Sequence, residues 1–167
     1  MGGDPIRPCL PPVAVGAMLG AGHLEGARTM GRTILAVMAG AVVMWLTIFA
    51  MEFAGHAAFP PPSNLDPRQQ ADLAVIVAQS STGAMAMLVL AWLAGAFTGG
   101  YTAARLAQRH ARAAAIVIAL LVMAGVVGMV WLVPNHPVWV SALGLLLPIP
   151  VAVLAQRLAV RTRRPVR

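Results

Sequence analysis

Four long apolar runs, separated by short polar segments, dominate the hydrophobic pattern of the chain. A helix rises about 1.5 Å per residue, so about 20 consecutive apolar residues cross the hydrocarbon core of a bilayer. Each run has roughly that length, and none shows the strict alternation of a half-exposed strand. The pattern therefore predicts an all-α protein, a membrane four-helix bundle over residues 30–160, with spans at about 33–51, 84–104, 113–133 and 138–158.

The segments that flank the predicted bundle differ from it in composition. Residues 1–29 combine prolines and glycines with an apolar stretch over 13–21, which is too short to span a membrane and has no basic cluster before it. Met30 stands directly before the first apolar run, in a position suited to a translation start. We predict that residues 1–29 are a disordered or misannotated extension and that residues 161–167 form a basic cytoplasmic tail.

The first loop predicts a short helix of its own. Prolines at 60–62 cannot continue the first span, because proline lacks a backbone donor. Asp66 followed by Pro67 is the pattern of an N-cap and a first helical residue. Residues 73–78 then form the apolar part of an amphipathic stretch, which ends at a bend over 80–83. We expect an interfacial helix that lies along the outer membrane surface.

Small residues and prolines within the spans predict how the helices pack. Two glycines four residues apart in the second span have the spacing at which helices approach closely in lipid. Pro148 and Pro150 remove two backbone donors from the fourth span and predict a kink there. The predicted packing glycines of the second and third spans are Gly95, Gly99, Gly100, Gly125 and Gly128.

Basic residues are concentrated at one end of each predicted span. Short loops rich in arginine remain in the cytoplasm, so these residues indicate the inner side. They are Arg28, Arg32, Arg105, Arg109, Arg112, Arg161, Arg163 and Arg164. The opposite side carries Glu52, Asp66 and Asp72 with only Arg68. The pattern predicts that both termini lie in the cytoplasm.

Composition narrows the class of protein further. Charged residues make up 10% of the chain and hydrophobic residues 59%, whereas a soluble domain averages about 25% charged residues. All twelve basic residues are arginines, and most of them lie at the ends of apolar runs. They do not alternate with aromatic residues, so we expect them to contact lipid headgroups and not nucleic acid. With the abundance of alanine and glycine, this indicates a multi-pass protein of the bacterial inner membrane.

Four polar residues on the predicted outer side are the candidates for chemistry. Glu52 and His56 are four residues apart and share one face of a helix, His136 lies in the second outer turn, and Asp66 lies in the first loop. Carboxylate and imidazole together suit Zn²⁺, although the spacing matches no known metal motif. Alternatively, Glu52 and His56 hold the proline-rich loop against the bundle, and His136 steadies its turn. The sequence leaves both interpretations open.

The remaining sequence contains no pattern typical of an enzyme. It has no serine or cysteine nucleophile with a plausible base, no zincin spacing and no phosphate-binding glycine loop. The single Cys9 cannot form an intramolecular disulfide. No charged residue occupies the centre of a span, where a proton-coupled transporter usually has one. We expect a protein that is not an enzyme and that has no cofactor, apart from zinc if the polar residues bind it.

The first outer loop resembles that of a family of small uncharacterised bacterial inner-membrane proteins with four helices. The similarity lies in the Gly-His-Ala-Ala-Phe-Pro-Pro-Pro segment over residues 55–62 and in Leu-Asp-Pro over 65–67. It continues through residues 90–97, the glycines at 99 and 100, and the His-Pro pair at 136 and 137. The resemblance covers most of the chain from Met30. It implies four membrane helices and no assigned activity.

These patterns favour a structural or accessory role for a protein whose first partner is the lipid bilayer. A homo-oligomer or another membrane protein would complete that role. The first alternative is a small transporter or channel component, which would act as an oligomer because four helices enclose little volume. The second alternative is a metal-binding membrane protein that uses Glu52, His56, Asp66 and His136.

Overall fold

Most of the chain that the structure describes is helical. The computed structural model describes residues 12–60, 65–66, 69–133 and 136–162. It contains α1 (Pro12–Ala58), α2 (Gln70–Gln79), α3 (Thr82–Ala107), α4 (Ala111–Leu132), α5 (Val138–Leu146) and α6 (Pro148–Arg161), with a 3-10 turn at Gln108–His110. The prediction of an all-α fold is confirmed.

Three stretches of the described chain are long and apolar enough to cross a membrane: Thr29–Ala58, Thr82–Leu132 and Val138–Arg161. The middle stretch has 51 residues, but it turns back on itself at Gln108, whose φ of 50° and ψ of −82° are not helical. Beyond that turn α4 packs against α3. The middle stretch therefore consists of two antiparallel helices and not of one long rod.

The helix α3 lies at the centre of the fold and packs against α1, α4, α5 and α6. Its contact with α1 is close enough to exclude side chains. A Cβ at Gly99 would lie 2.7 Å from the Gly40 carbonyl oxygen, and one at Gly95 would lie 2.5 Å from Ile48. Gly100 faces α6, where Ala152 would be 3.3 Å away. The glycines of the second span therefore form contact surfaces for two different helices.

Gly125 and Gly128 of α4 do not pack within the chain, contrary to our prediction. A Cβ at either position would meet nothing within 4 Å. The face of α4 that enters the core carries Ile118, Val122 and Val126, which are four residues apart. Because this apolar row takes the core side, the two glycines lie beside it and face away from the other helices.

The fourth span is interrupted at the place where its prolines predict a kink. Leu147 separates α5 from α6, directly before Pro148. Pro148 and Pro150 have no backbone N–H to donate to the preceding turn. The chain continues through the break because the Leu147 N–H donates to the Leu143 carbonyl and the Val151 N–H to the Leu147 carbonyl, each at 3.1 Å. Pro148 is fully buried, so the break lies against the core.

The helix α1 begins at Pro12 and so includes residues 12–29, which we predicted to be disordered or misannotated. Proline is favoured in the first turn of a helix, where its missing N–H is not needed. The alanine-containing segment that follows extends a helix which the first span has already nucleated. Residues 1–11 of the predicted extension and residues 163–167 of the predicted tail lie outside the described residues.

The helix α2, which corresponds to the short helix predicted in the first loop, begins at Gln70, three residues later than the Asp66-Pro67 pattern predicted. The Asp66 backbone N–H donates to the Asp72 carboxylate at 2.9 Å. Asp72 thus stabilises the approach to the first turn of α2, and Gln69 takes the N-cap position without a side-chain bond. Pro67 lies outside the described residues. At the other end of α2, Ser81 caps α3 by accepting a bond from the Ala84 N–H at 3.2 Å.

Large apolar side chains cover the outside of the fold. Along α1, Trp45 is 70% exposed and Phe53 is 73% exposed, and α4 exposes Trp131 to 85%. By contrast, no polar or charged residue of the described chain is fully buried. A soluble monomer rarely exposes so much contiguous apolar surface. The fold therefore suits lipid as its surroundings.

Candidate functional site

The helices collect the predicted inner-side arginines at one end of the fold, which we call the arginine end (Arg32, Arg105, Arg109, Arg112 and Arg161). Arg32 of α1 donates to the carbonyl of Leu106, near the end of α3, at 3.1 Å. The Thr33 hydroxyl donates to the Thr29 carbonyl at 2.9 Å and lies 3.2 Å from Nδ1 of His110. These bonds connect α1 to the turn between α3 and α4.

A second set of contacts at the arginine end joins α3 to α6. Arg105 donates to the Thr162 hydroxyl at 2.8 Å, and its guanidinium lies 5.9 Å from the centre of the Tyr101 ring. Arg105 is exposed, so these contacts contribute little stability and mainly bring the helix ends together. The side chain of Arg28 and the whole of Arg163 and Arg164 lie outside the described parts.

At the opposite end, which we call the cavity end, a cavity of about 500 Å³ opens between α2 and the ends of α1, α3 and α4. Three of the four predicted polar residues line it: Glu52, His56 and His136. The fourth, Asp66, does not line it. The structure thus gathers residues from two distant parts of the sequence at one place.

The position of α2 produces the cavity. Among the described residues, no Cα atom of α2 comes within 8 Å of another helix, so α2 packs on the bundle only through its side chains. Val77 is buried with the core and Leu73 packs against it. Leu73, Ile76 and Val77 line one side of the gap that remains, and Met85 and Leu88 of α3 form the opposite wall. The cavity is therefore mainly apolar, and its polar groups come from α1, the α2–α3 junction and the turn before α5.

Both histidines of the cavity direct one ring nitrogen to the main chain. His56 Nδ1 lies 2.8 Å from the Glu52 carbonyl oxygen, and His136 Nδ1 lies 2.9 Å from the Val133 carbonyl oxygen. A carbonyl only accepts, so each Nδ1 carries the hydrogen, and Nε2 of the neutral ring is left as an acceptor. The Nε2 atom of His136 is buried and has no hydrogen-bond partner in the described structure.

Glu52 and His56 share a helix face as expected, but the ring of His56 bonds to the main chain of Glu52. The Glu52 carbonyl also accepts the N–H four residues later within α1, so the His56 ring adds a second bond to it near the end of the helix. His136 likewise closes the turn after α4 through its bond to Val133. Each histidine thus steadies a helix end, and the Glu52 carboxylate remains half-buried at the cavity wall.

The described residues do not fit a metal ion. Among them, no group of three or more His, Cys, Asp or Glu residues is placed so that it could hold one. Zn²⁺ needs ligand atoms about 2.0–2.2 Å from a common centre. Although Glu52, His56 and His136 line one cavity, they do not converge on such a centre. Glu52, His56 and His136 therefore do not form a zinc site in the described structure.

Several residues that shape the fold and the cavity gave no signal in the sequence. Gly144 lies under the Trp92 ring, where a Cβ would be 2.7 Å from the indole, yet a single glycine in an apolar run predicts nothing specific. Met87 and Met129 line the cavity, but methionines are scattered through every span. Only the fold shows which of them face the same space.

Fold and site together define an all-helical protein with three stretches that suit a membrane and a cavity at one end. No protein-family model matches the chain, and comparisons with curated proteins and with solved structures find no match. The resemblance of the first loop to a family of small four-helix membrane proteins therefore stays a prediction.

Proposed function

We propose that this chain is a multi-pass protein of the bacterial inner membrane that crosses the bilayer four times. The middle apolar stretch, Thr82–Leu132, would be about 75 Å long if it were straight, whereas the hydrocarbon core is about 30 Å thick. Its turn at Gln108 divides it into two lengths that each suit one crossing. The helices α5 and α6 together then make the fourth crossing.

The arrangement of charge supports an orientation with both termini in the cytoplasm. The arginine end gathers basic residues from three separate parts of the chain, and Glu52 lies at the other end. Arginine in short loops keeps them on the cytoplasmic side. An even number of crossings is consistent with arginines near both termini. The cavity end accordingly lies on the side of the membrane that faces away from the cytoplasm.

We infer a structural or accessory role within that membrane, and the composition of the core carries this inference. Its fully buried residues are alanine, glycine, proline and larger apolar residues, and none of those described is polar or charged. A transport path needs polar groups or water along its length. In this chain, Met85, Val89 and Trp92 are buried one below another on α3 and close the core beneath the cavity.

Purification in mild detergent, followed by reconstitution into liposomes, tests the role. We expect the full chain to run in native gels as part of a larger complex containing another membrane protein. We also expect its liposomes to pass protons and monovalent cations no faster than empty ones. Glu52→Gln serves as the matched variant, because it removes the carboxylate of the cavity without changing its shape.

If the role is accessory, wild type and Glu52→Gln should form the same complex and should pass protons and monovalent cations at the same rate. A saturable flux in the wild type that Glu52→Gln abolishes would contradict the account and favour a small transporter. A monomer with no partner and no flux would also contradict an accessory role.

A further inference from the structure

We propose that the cavity binds a small amphiphilic organic cation: a primary ammonium group attached to an apolar body. This inference goes beyond the accessory role, because it assigns a ligand class to a site for which that role has no use. It rests on the acceptors that line the cavity, on the charge of its lining, and on the volume and apolar character of its walls.

Glu52, His56, His136 and Ser80 offer acceptors in the cavity, and Gln79 and Ser81 can also donate. The two histidines use Nδ1–H on main-chain carbonyls, so a neutral ring at either position offers Nε2 as an acceptor. The Ser80 hydroxyl donates to the Ile76 carbonyl at 2.7 Å and presents its lone pairs to further donors. Glu52 adds a carboxylate. Such a lining complements a group with several N–H donors.

The charge of the lining selects a cation over an anion. Glu52 is the one acidic residue among the described lining residues, and no arginine is among them. The protein has no lysine, so a phosphate or carboxylate ligand would find no lysine or arginine among the described residues of this lining. With neutral histidines the lining has a net negative charge. A hydrogen bond between an ammonium and a carboxylate is about twice as strong as one between neutral groups.

An ammonium fits the polar lining better than a metal ion does. It binds oxygen and nitrogen acceptors at about 2.9 Å, against about 2.1 Å for zinc, and it demands no fixed coordination number. A single carboxylate such as that of Glu52 can therefore bind it without a compact set of three ligands. The buried Nε2 of His136, which has no partner in the described structure, is a further acceptor of the lining.

The walls of the cavity are suited to an apolar body. Met85, Met87 and Met129 line it together with Leu88 and Ile76. Methionine is flexible and polarizable, so walls of this kind adapt to ligands of different shape. A volume of about 500 Å³ lies within the range of small-molecule sites. It is far larger than an ion requires and smaller than a two-chain lipid.

Binding of three matched eight-carbon probes to the purified full chain tests the proposal. The probes are n-octylamine, octyltrimethylammonium, which keeps the charge but has no N–H donor, and octanoate, which reverses the charge. Titration calorimetry in detergent at neutral pH compares them, with empty micelles as the partition blank. We expect octylamine to bind at least about tenfold more tightly than either analogue, because only it can donate to the carboxylate.

Three variants test which residues produce the preference for octylamine. Glu52→Gln should weaken octylamine binding by about tenfold or more, whereas Asp66→Asn, which removes a negative charge at the same end but outside the cavity, should leave it unchanged. Unchanged melting temperatures show that both variants are folded. A His136→Phe variant, which keeps a ring but removes Nε2, should weaken octylamine binding without affecting octyltrimethylammonium.

Repeating the titration in lipid nanodiscs shows whether the ammonium group belongs to a lipid headgroup or to a free amine. Competition by phosphatidylethanolamine, but not by phosphatidylglycerol, would support the ammonium site and show that a lipid headgroup fills it. Undiminished octylamine binding in both lipids would support a free amine as the ligand. Equal affinities for the three probes, octylamine binding that survives Glu52→Gln, or tight binding of Zn²⁺ without octylamine would overturn the proposal.

Discussion

The hydroxyl oxygens of Thr47 on α1 and Thr98 on α3 lie 2.9 Å apart across the closest helix contact of the fold. Each hydroxyl also lies near a carbonyl one turn earlier in its own helix, at 2.8 Å from Val43 for Thr47 and 2.9 Å from Ala94 for Thr98. The two hydroxyls have only two hydrogens for these three contacts. One threonine therefore bonds across the interface while the other bonds within its helix.

A double-mutant cycle should detect this bond. Replacing Thr47 and Thr98 by Val, singly and together, should reveal a coupling of about 0.6 kcal/mol, and at most about 2 kcal/mol, because interhelical hydrogen bonds in lipid are modest. Unfolding of the purified protein by dodecyl sulfate measures it. Thr102→Val is the control, since the Thr102 hydroxyl donates to the Thr98 carbonyl of its own helix. An equal coupling between Thr47 and Thr102 would contradict this assignment.

The glycines of α3 and α4 should respond differently to an added methyl group. Gly99→Ala places Cβ 2.7 Å from the Gly40 carbonyl oxygen, where the backbone of α1 must move away. We expect a loss of about 1–3 kcal/mol, as for other overpacked contacts. Gly125→Ala meets nothing within 4 Å and should be neutral or slightly stabilising, because alanine favours the helix. Equal losses in the unfolding assay would contradict the packing of α1 on α3.

Arginines of the turn between α3 and α4 should matter more for orientation than for stability. Arg105, Arg109 and Arg112 are exposed, and exposed charges contribute at most about 1 kcal/mol each. Replacing all three by Ala removes the positive charge of that loop, so we expect a fraction of the molecules to insert with the loop outside. Protease protection in inverted vesicles measures that fraction. Uniform protection identical to the wild type would contradict the orienting role.

The sequence was most informative where one physical requirement dominates. Lipid requires long apolar runs, so the membrane-suited stretches and the turn after α3 could be located from hydropathy. Proline removes a donor wherever it stands, so the break at Pro148 was also predictable. The start of α2 was harder to predict. The Asp66 backbone N–H donates to Asp72, and this arrangement depends on the local fold.

The site could be predicted only in part. The polarity of Glu52, His56 and His136 marked them as unusual, but the sequence does not show which atoms meet. The bond from His56 to the main chain of Glu52 depends on the geometry of a helix end. Gly125 and Gly128 were wrongly predicted to pack, because glycine spacing identifies a small surface without indicating the helix, if any, that covers it.

The proposal of four crossings is tested most directly by fusing a reporter that is active only outside the cytoplasm. The fusions are placed within residues 62–68, after Arg112 and after the last residue, and a reporter active only in the cytoplasm is fused at the same sites as the expression control. Four crossings with both termini inside predict activity for the fusion within residues 62–68 alone. Activity of the fusion at the last residue would show an odd number of crossings, and activity after Arg112 would show the reverse orientation; either result would contradict the account.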